Sequence, residues 1–258
     1  MSLPPQNRDI AATFAKGLAV LAAFDGTSPG LTLADLARIT GQDRATVRRG
    51  ALTLVHLGYL RQQERHFALT PKILSLASGF LQANQFGRLI QPTLNHQAEQ
   101  LGAEIMLAMR DGSGVLLLAQ STMGHGMVSF GFMPGHRMPL LHTSLGRMLL
   151  ACEPAAEVEP LVLDAPLPRH TEKSLRDPGA ILDCITQSRH DGYNVTDGEF
   201  ESGIIGFSVP VSRPGATAVV VGSNLPGGRE GWADQDKVLR VLQSCAAKLR
   251  QNGGLDGF

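Results

Sequence analysis

Residues 31–61, LTLADLARITGQDRATVRRGALTLVHLGYLR, contain two short helical patterns separated by a tight turn. Thr32 predicts the N-cap of the first helix, because Asp35 follows three residues later and completes a capping box. Gly41 predicts the turn that ends this helix, since glycine takes positive φ without strain. The stretch therefore predicts a helix, a tight turn and a second helix.

A further helical pattern precedes this stretch at residues 12–24. The apolar positions at helical spacing are Phe14, Leu18, Leu21 and Ala22. The segment DGTSPG at residues 25–30 is rich in helix-breaking residues and ends this pattern. The chain thus predicts a helix before the helix-turn-helix pair.

The second helix of the opening stretch is predicted at residues 44–57, with Asp43 as its N-cap. Its predicted inward positions are Val47, Gly50 or Ala51, Leu54 and Leu57. Gly58 ends it, and residues 59–61 and 65–69 predict two strands joined by a polar turn. Three helices followed by a hairpin are the order of a winged helix-turn-helix, whose third helix enters the major groove of DNA.

The exposed face at the start of the third helix is basic. Arg44, Arg48 and Arg49 lie within two helical turns, and guanidinium groups bind guanine edges or hold phosphates. A solvated helix face is the alternative, but the order of the surrounding elements favours contact with double-stranded DNA. The predicted DNA-binding residues are Thr32, Asp43, Arg44, Ala45, Thr46, Arg48, Arg49, Arg61 and Arg65.

Composition places the chain among globular proteins, with 43% hydrophobic and 18% charged residues. The net charge is zero, but residues 1–72 contain nine basic and five acidic residues, which leaves the remainder acidic. A basic end on an acidic body fits a DNA-binding module joined to a partner domain. Because no apolar run reaches the ~18 residues of a membrane span and the N-terminus lacks a secretion signal, we expect a cytoplasmic protein without membrane contact.

The sequence offers few residues for metal or cofactor chemistry. The three cysteines are odd in number and widely spaced, which fits neither a disulfide framework nor a zinc motif. His125, His136 and His142 lie within eighteen residues, but their spacing matches no metal-ligand motif. We predict no metal, no cofactor and no catalytic residue.

A helical connection is predicted after the hairpin. Thr70 and Pro71 predict a helix start, and a second helical pattern follows at residues 86–101. A helix this apolar between two domains usually buries its apolar face. We favour packing against the same helix of a second copy of the chain. The predicted divisions are a winged domain at residues 8–70, a helical linker at 71–85 and an effector-binding domain at 86–253.

Beyond residue 102 the pattern becomes mixed. Strands are predicted at residues 105–109, 115–119, 127–132, 193–196, 204–211 and 218–223, and helices at 145–151, 155–163, 178–190 and 232–250. Antiparallel strands flanked by helices give an α+β fold.

Five segments carry a family resemblance: LADLARITG, TVRRGALTLVHLGYL, FALTPKILSLA, GHRMPLLHTSLGRMLLA and RHDGYNVTDGEFESGIIGFSVPV. Through them the chain resembles the IclR-type regulators of bacterial transcription over roughly residues 10–250. The basic helix and the LTP segment are most similar to the branch that regulates aromatic-acid catabolism. Gly50 departs from the family's larger apolar residue and costs ~1 kcal/mol relative to alanine, which close packing against another helix would explain.

The resemblance implies a mixed α/β, GAF- or profilin-like C-terminal domain that binds a small acidic metabolite, and assembly as a dimer or dimer of dimers. Ser144 and the free amides of a helix start would suit a carboxylate. Members that bind very small keto acids carry an acid at the position of Thr196 and a thiol at Gly206, so a roomier cleft is expected here. The implied effector-binding residues are Met127, Phe130, Met138, His142, Ser144, Leu145, Thr196, Ile204, Gly206 and Ser223, with Val220 and Gly222 as alternatives to Ser223 and with Arg137 as a further acid-binding residue.

We therefore predict a transcriptional repressor or activator, not an enzyme, whose operator binding is modulated by a small carboxylate. Two alternatives remain open. One is a metabolite-acting enzyme, for which Asp197, Glu199 and Glu201 offer paired carboxylates, although a solvated acidic turn is the favoured interpretation of these residues. The other is a regulator whose C-terminal domain responds to no ligand.

Overall fold

The computed structural model describes residues 10–26, 28–122, 133–212, 215–227 and 235–253. The chain divides into two compact units, one ending at Ala83 and the next beginning at Asn84. Within the described ranges, no helix is long and apolar enough to cross a membrane.

The first unit, as far as it is described, combines helices with a small antiparallel sheet. The helices are α1 (Ala12–Ala22), α2 (Leu33–Thr40), α3 (Arg44–His56) and α4 (Ile73–Ala83). The strands are β1 (Leu31–Thr32), β2 (Leu60–Gln63) and β3 (His66–Leu69), in the sheet order β1–β3–β2. The predicted winged helix-turn-helix is confirmed, with the short strand β1 as an addition.

The helix ends of this unit follow the predicted capping chemistry. The Thr32 hydroxyl accepts the Asp35 amide at 3.2 Å, and the Asp35 carboxylate accepts the Thr32 amide at 3.1 Å. Gly41 ends α2 with φ +66°. The Asp43 carboxylate accepts the Thr46 amide at 2.9 Å and caps α3. These caps satisfy amides that a helix start otherwise leaves without a partner.

Gly50 lies where α3 meets α1. A Cβ at this position would lie 3.4 Å from Val20 Cγ2 and 3.7 Å from Gly17 Cα. The two helices leave room for little more than a methyl group here, which accounts for the absence of the family's larger apolar residue. Val20 itself is fully buried, together with Leu36 on α2 and Val47 on α3.

Leu57, which was predicted to face inward, is exposed, and so are Phe14 and Leu18 of the apolar pattern on α1. Phe14 is 69% exposed, and Leu18 and Leu57 are each 48% exposed. The spacing identified an apolar stripe on α1 correctly, but the buried face of α1 is the one that carries Val20. The stripe of Phe14 and Leu18 is a surface feature of the first unit.

The second unit is built on one antiparallel sheet. The strands are β4 (Met106–Asp111), β5 (Gly114–Gln120), β6 (Arg137–Pro139), β7 (Asn194–Asp197), β8 (Ile204–Pro210) and β9 (Val219–Pro226), in the order β6–β5–β4–β9–β8–β7. The helices are α5 (Gln91–Leu101), preceded by a π-helical turn (Phe86–Ile90), then α6 (Ser144–Ala151), α7 (Ala155–Asp164), α8 (Pro178–Asp191) and α9 (Gln235–Gln251). The predicted α+β class is confirmed.

Each face of this sheet packs against its own helices. One face packs against α5 and α9 through residues such as Leu94 and Leu242. The other face packs against α6, α7 and α8 through residues such as Leu149 and Ile181. Because side chains alternate along a strand, neighbouring residues of β9 belong to different layers: Val220 packs on the α6 side and Val221 on the α5 side.

One strand of this unit differs from the predicted elements. Strand β6 was not predicted, because three residues give no periodic signal. The strand predicted at residues 127–132 lies outside the described residues, as does the predicted start of the last helix at residues 232–234.

Candidate DNA-binding surface and effector cleft

The outer face of α3 presents the predicted basic residues. Arg44, Arg48 and Arg49 are exposed, as is Ala45, whereas Val47 in the same turns is fully buried. The Arg49 guanidinium donates to the Thr46 hydroxyl at 3.3 Å. Burial of the opposite face fixes the helix, so its charged face is held toward solvent.

Two predicted DNA-binding residues already have roles in helix capping. The carboxylate of Asp43 accepts the Thr46 amide, and this bond lowers the pKa of Asp43. Thr32 bonds to Asp35, whose pKa is lowered by the hydroxyl and the amide of Thr32. Both residues therefore position α2 and α3, whatever contacts they make with DNA.

Two further predicted DNA-binding residues lie on the hairpin. Arg61 on β2 pairs with Ala68 on β3, and its side chain is exposed. Arg65 is exposed in the turn beside Glu64, whose φ is +52°. The hairpin tip therefore carries one acidic and one basic side chain.

A cleft opens in the second unit where the start of α6 meets strands β7, β8 and β9. The cleft is partly open to solvent. Its lining comprises Met138, His142, Thr143, Ser144, Leu145, Thr196, Glu199, Phe200, Glu201, Ile204, Gly206 and Asn224. The walls combine apolar side chains with a few polar groups, as in small-molecule sites.

Three oxygen atoms converge at Gly206 on β8. A Cβ on Gly206 would lie 2.8 Å from Ser144 Oγ, 3.0 Å from Thr196 Oγ1 and 3.3 Å from Asn224 Oδ1. These atoms come from α6, β7 and β9. Because glycine has no side chain, its position leaves a notch bordered by hydrogen-bonding groups.

The start of α6 borders the same notch. Thr143 caps the helix: its hydroxyl accepts the Gly146 amide at 3.2 Å and donates to the Pro139 carbonyl at 2.7 Å. The other amides of a first helical turn have no acceptor within the helix and carry partial positive charge. The notch is thus bordered by the hydroxyls of Ser144 and Thr196 and lies beside the start of α6.

A buried ion pair holds the wall beside the notch. Arg147 on α6 is 1% exposed and Glu199 is 8% exposed. Arg147 Nη1 donates to Glu199 Oε1 at 2.7 Å, Nη2 pairs with Oε2, and Nε donates to the Leu141 carbonyl at 2.8 Å. The favoured interpretation of a solvated acidic turn is wrong for Glu199, whereas Asp197 does lie near the surface, 2.7 Å from Lys173 Nζ.

His142 lines the cleft as a neutral ring. It is 2% exposed, and burial lowers its pKa. Its Nε2 lies 2.9 Å from the Leu175 carbonyl, which only accepts, so Nε2 carries the proton. Nδ1 of the neutral ring is therefore a hydrogen-bond acceptor. The ring also stands edge-on to His170, with centroids 4.9 Å apart.

Most of the predicted effector-binding residues come together here. Met138, His142, Ser144, Leu145, Thr196, Ile204 and Gly206 all line the cleft. Met127 and Phe130 lie outside the described residues.

Two predicted residues lie away from the cleft. Ser223 faces the opposite layer and donates to the Glu104 carbonyl at 2.7 Å. Its neighbour Asn224, which was not predicted, lines the cleft instead, as strand alternation requires. Arg137, considered as an acid-binding residue, pairs with Asp111 at the surface.

Two family profiles match the chain. The profile described as "IclR helix-turn-helix domain" matches residues 13–64, and "Bacterial transcriptional regulator IclR C-terminal" matches residues 80–251. The chain belongs to the IclR family of bacterial transcriptional regulators. The family predicted from the sequence is confirmed, and with it the assignment of this IclR-family regulator as a DNA-binding protein.

Two relatives of this IclR-family regulator are themselves named as regulators. It is 34% identical to the Pca regulon regulatory protein of Pseudomonas putida, over 79% of this chain and 70% of the relative. It is 29% identical to the p-hydroxybenzoate hydroxylase transcriptional activator of Acinetobacter baylyi, over 95% of this chain and 93% of the relative.

Solved structures of other IclR-family proteins share the fold. A regulator from Brucella abortus has a TM-score of 0.80 and 25% identity, over 97% of this chain and 95% of that chain. An IclR homologue from Microbacterium hydrocarbonoxydans, complexed with 4-hydroxybenzoate, has a TM-score of 0.71 and 23% identity, over 95% of this chain and all of that chain.

Proposed function

We propose that this IclR-family regulator binds a hydroxybenzoate-type aromatic acid in the cleft and that this binding changes its affinity for operator DNA. The observation that carries the proposal is the convergence of Ser144 Oγ, Thr196 Oγ1 and Asn224 Oδ1 at Gly206. Hydroxyls and helix-start amides bind a carboxylate without a cationic side chain. The names of the two relatives and the 4-hydroxybenzoate complex support an aromatic acid.

The walls of the cleft suit the rest of such a molecule. Met138, Leu145 and Ile204 supply apolar surface for an aromatic ring. His142 supplies an acceptor for a phenolic hydroxyl, because its ring is neutral and Nε2 is bonded to Leu175. The ion pair of Arg147 and Glu199 is satisfied internally, so it shapes the wall without contributing a free charge.

A titration tests the proposal directly. The purified protein is titrated with 4-hydroxybenzoate, 3-hydroxybenzoate and pyruvate by calorimetry, and its operator affinity is measured with and without each compound. We expect an aromatic acid to bind and to change operator affinity, and pyruvate to do neither. Operator binding that none of the compounds alters would contradict the proposal and favour a ligand-independent C-terminal domain.

Gly206→Ala tests the location of the site. The added methyl group fills the notch and would lie 2.8 Å from Ser144 Oγ, so this hydroxyl must turn away, and circular dichroism checks that the variant is folded. We expect 4-hydroxybenzoate affinity to fall at least about tenfold, the scale of one lost polar contact or clash. Gly87→Ala is the matched control, because a Cβ there meets nothing within 4 Å. Unchanged binding in Gly206→Ala would place the effector elsewhere.

On the DNA side, we propose that Arg44, Arg48 and Arg49 contact the operator through the major groove. Their exposure on the capped end of α3 supports this role. Arg61 and Arg65 on the hairpin are proposed to contact the backbone or minor groove. The residues of the winged unit thus divide into groups that position helices and groups that reach DNA.

We further propose a homodimer or dimer of dimers, with no turnover of the bound acid. The exposed stripe of Phe14 and Leu18 on α1 supports self-association, because exposed apolar patches mark interaction surfaces. Helix α4, which buries none of its residues, supports it as well. Incubation of protein with 4-hydroxybenzoate followed by chromatography tests for turnover, and recovery of the intact acid is the expected result.

A further inference from the structure

Helix α4 buries none of its residues. Leu74 and Leu76 on it are 65% and 54% exposed. Most helical stability in proteins comes from packing of one face, and within the winged unit α4 has no such buried face. Its direction relative to that unit is therefore set by the segment immediately before it, residues 70–72.

That segment is bonded to the C-terminal end of α3 by four contacts. Lys72 Nζ donates to the Leu57 carbonyl at 2.7 Å and lies 4.9 Å from the centroid of the Tyr59 ring. The Thr70 hydroxyl donates to the Gly58 carbonyl at 2.5 Å, and the Thr70 amide donates to the Tyr59 carbonyl at 2.9 Å. Thr70 and Lys72, which precede α4, thus contact residues 57–59, which follow α3.

Helix electrostatics favours this arrangement. Leu57 is the C-cap of α3, so its carbonyl is among those without a donor inside the helix. The ammonium of Lys72 satisfies that carbonyl at the negative end of the helix dipole. Gly58 turns the chain with φ +78°, and the lysine packs beside it, since a Cβ there would lie in ordinary contact, 3.6 Å from Lys72 Cδ. We call Thr70 and Lys72 together the α3–α4 clamp.

We propose that Lys72 is a positioning residue: the α3–α4 clamp makes the linker helix and the DNA-reading helix move as one body. This inference rests on the proposed function, in which an effector changes operator binding. A helix of thirteen residues is about 20 Å long. A rotation of about 10° at its clamped end displaces the end that carries Arg44 by about 3 Å, which is enough to break a hydrogen bond to a base.

Two substitutions at Lys72 test the clamp. Lys72→Met removes the ammonium but keeps a long side chain, and Lys72→Arg keeps a cationic donor. For each protein, the operator Kd is measured with and without 4-hydroxybenzoate, on a DNA site selected by the wild-type protein. We expect the ratio of the two Kd values to fall to within about twofold of one in Lys72→Met and to stay near the wild-type ratio in Lys72→Arg. The calorimetric Kd for 4-hydroxybenzoate stays unchanged, which shows that the variant is folded.

Two results would overturn the proposal. In the first, Lys72→Met keeps the wild-type ratio. In the second, it loses operator affinity equally with and without 4-hydroxybenzoate, and the salt dependence becomes shallower, which identifies Lys72 as a phosphate contact.

If the wild-type ratio of the two operator Kd values is itself one, the proposed function is wrong. Amide hydrogen exchange then tests the clamp by itself. Faster exchange of residues 73–83 in Lys72→Met than in the wild type supports the clamp. Equal exchange in the two proteins overturns it.

Discussion

Arg147 uses its whole guanidinium head group to hold one wall of the cleft together. Each guanidinium nitrogen has an acceptor in the wall: two nitrogens bond to Glu199 and the third to the Leu141 carbonyl. A fork-to-fork pair of this kind fixes distance and direction together. Glu199 in turn accepts the Leu175 amide at 3.4 Å. The loop before α8, the start of α6 and the turn after β7 are thereby tied at one point.

Arg147→Met is expected to lower the free energy of unfolding of the second unit by about 3–5 kcal/mol, because it leaves the Glu199 carboxylate buried without its cation. Denaturant unfolding followed by circular dichroism measures the loss. Lys173→Met is the matched control: it breaks the exposed pair with Asp197, which is worth about 1 kcal/mol or less. Equal losses in the two variants would contradict the structural role of the buried pair.

The residues of the cleft also show where sequence reasoning stops. Ser144 and Gly206 were found because their segments resemble the family. Ser223 was predicted with Val220 and Gly222 as alternatives, and strand alternation puts Asn224 in the cleft instead. Glu199 was misjudged because its partner Arg147 is distant in sequence, and no local pattern reveals such a pair.

At the scale of elements, local chemistry predicted most of the winged unit. The caps at Thr32 and Asp43 and the turn at Gly41 depend only on neighbouring residues, and all three were confirmed. The exposure of Phe14 and Leu57 depends on what packs against them, which spacing does not report. The short strands β1 and β6 escaped prediction because two or three residues carry no periodicity.

Helix α3 is the element on which DNA recognition is predicted to depend. Arg48→Ala is expected to cost about 1–3 kcal/mol in operator binding, and to relax specificity at one base pair if Arg48 reads a base edge. Fluorescence anisotropy at two salt concentrations measures affinity and salt slope. A uniform loss with a shallower slope would identify Arg48 as a phosphate contact instead.

Arg88→Ala serves as the control for that series. Arg88 is exposed in the π-helical turn of the second unit, so the variant removes the same charge far along the chain from α3. We expect its operator affinity to match the wild type. An Arg48→Ala protein that binds as tightly as Arg88→Ala would remove α3 from the interface.

At the scale of the whole molecule, the charge of the chain is divided between its parts. Residues 1–72 are basic and the remainder is acidic, although the total is zero. An acidic body repels nucleic acid, so the basic end is the part that meets it first. Because the attraction between the basic end and DNA is electrostatic, association with DNA depends on ionic strength.

Self-association is the property of the whole molecule that the exposed stripe on α1 predicts. Phe14 is 69% exposed in the single chain. Phe14→Glu is expected to shift the molar mass toward the monomer, because it places a charge in the apolar surface proposed for self-association. Light scattering after size-exclusion chromatography measures the mass. Thr13→Glu is the control, since Thr13 is exposed on a neighbouring face of α1. An unchanged mass in Phe14→Glu would exclude this stripe from the interface.

The notch at Gly206 has a consequence for the engineering of biosensors. The groups that hold the cleft together, Arg147 and Glu199, are distinct from those that border the notch, Ser144, Thr196 and Asn224. Under the proposed function, libraries that vary the notch while keeping the ion pair can therefore search for new effector acids and leave the stability of the scaffold intact. Reporter strains built on such variants would differ in the compound they detect but share one fold and one operator.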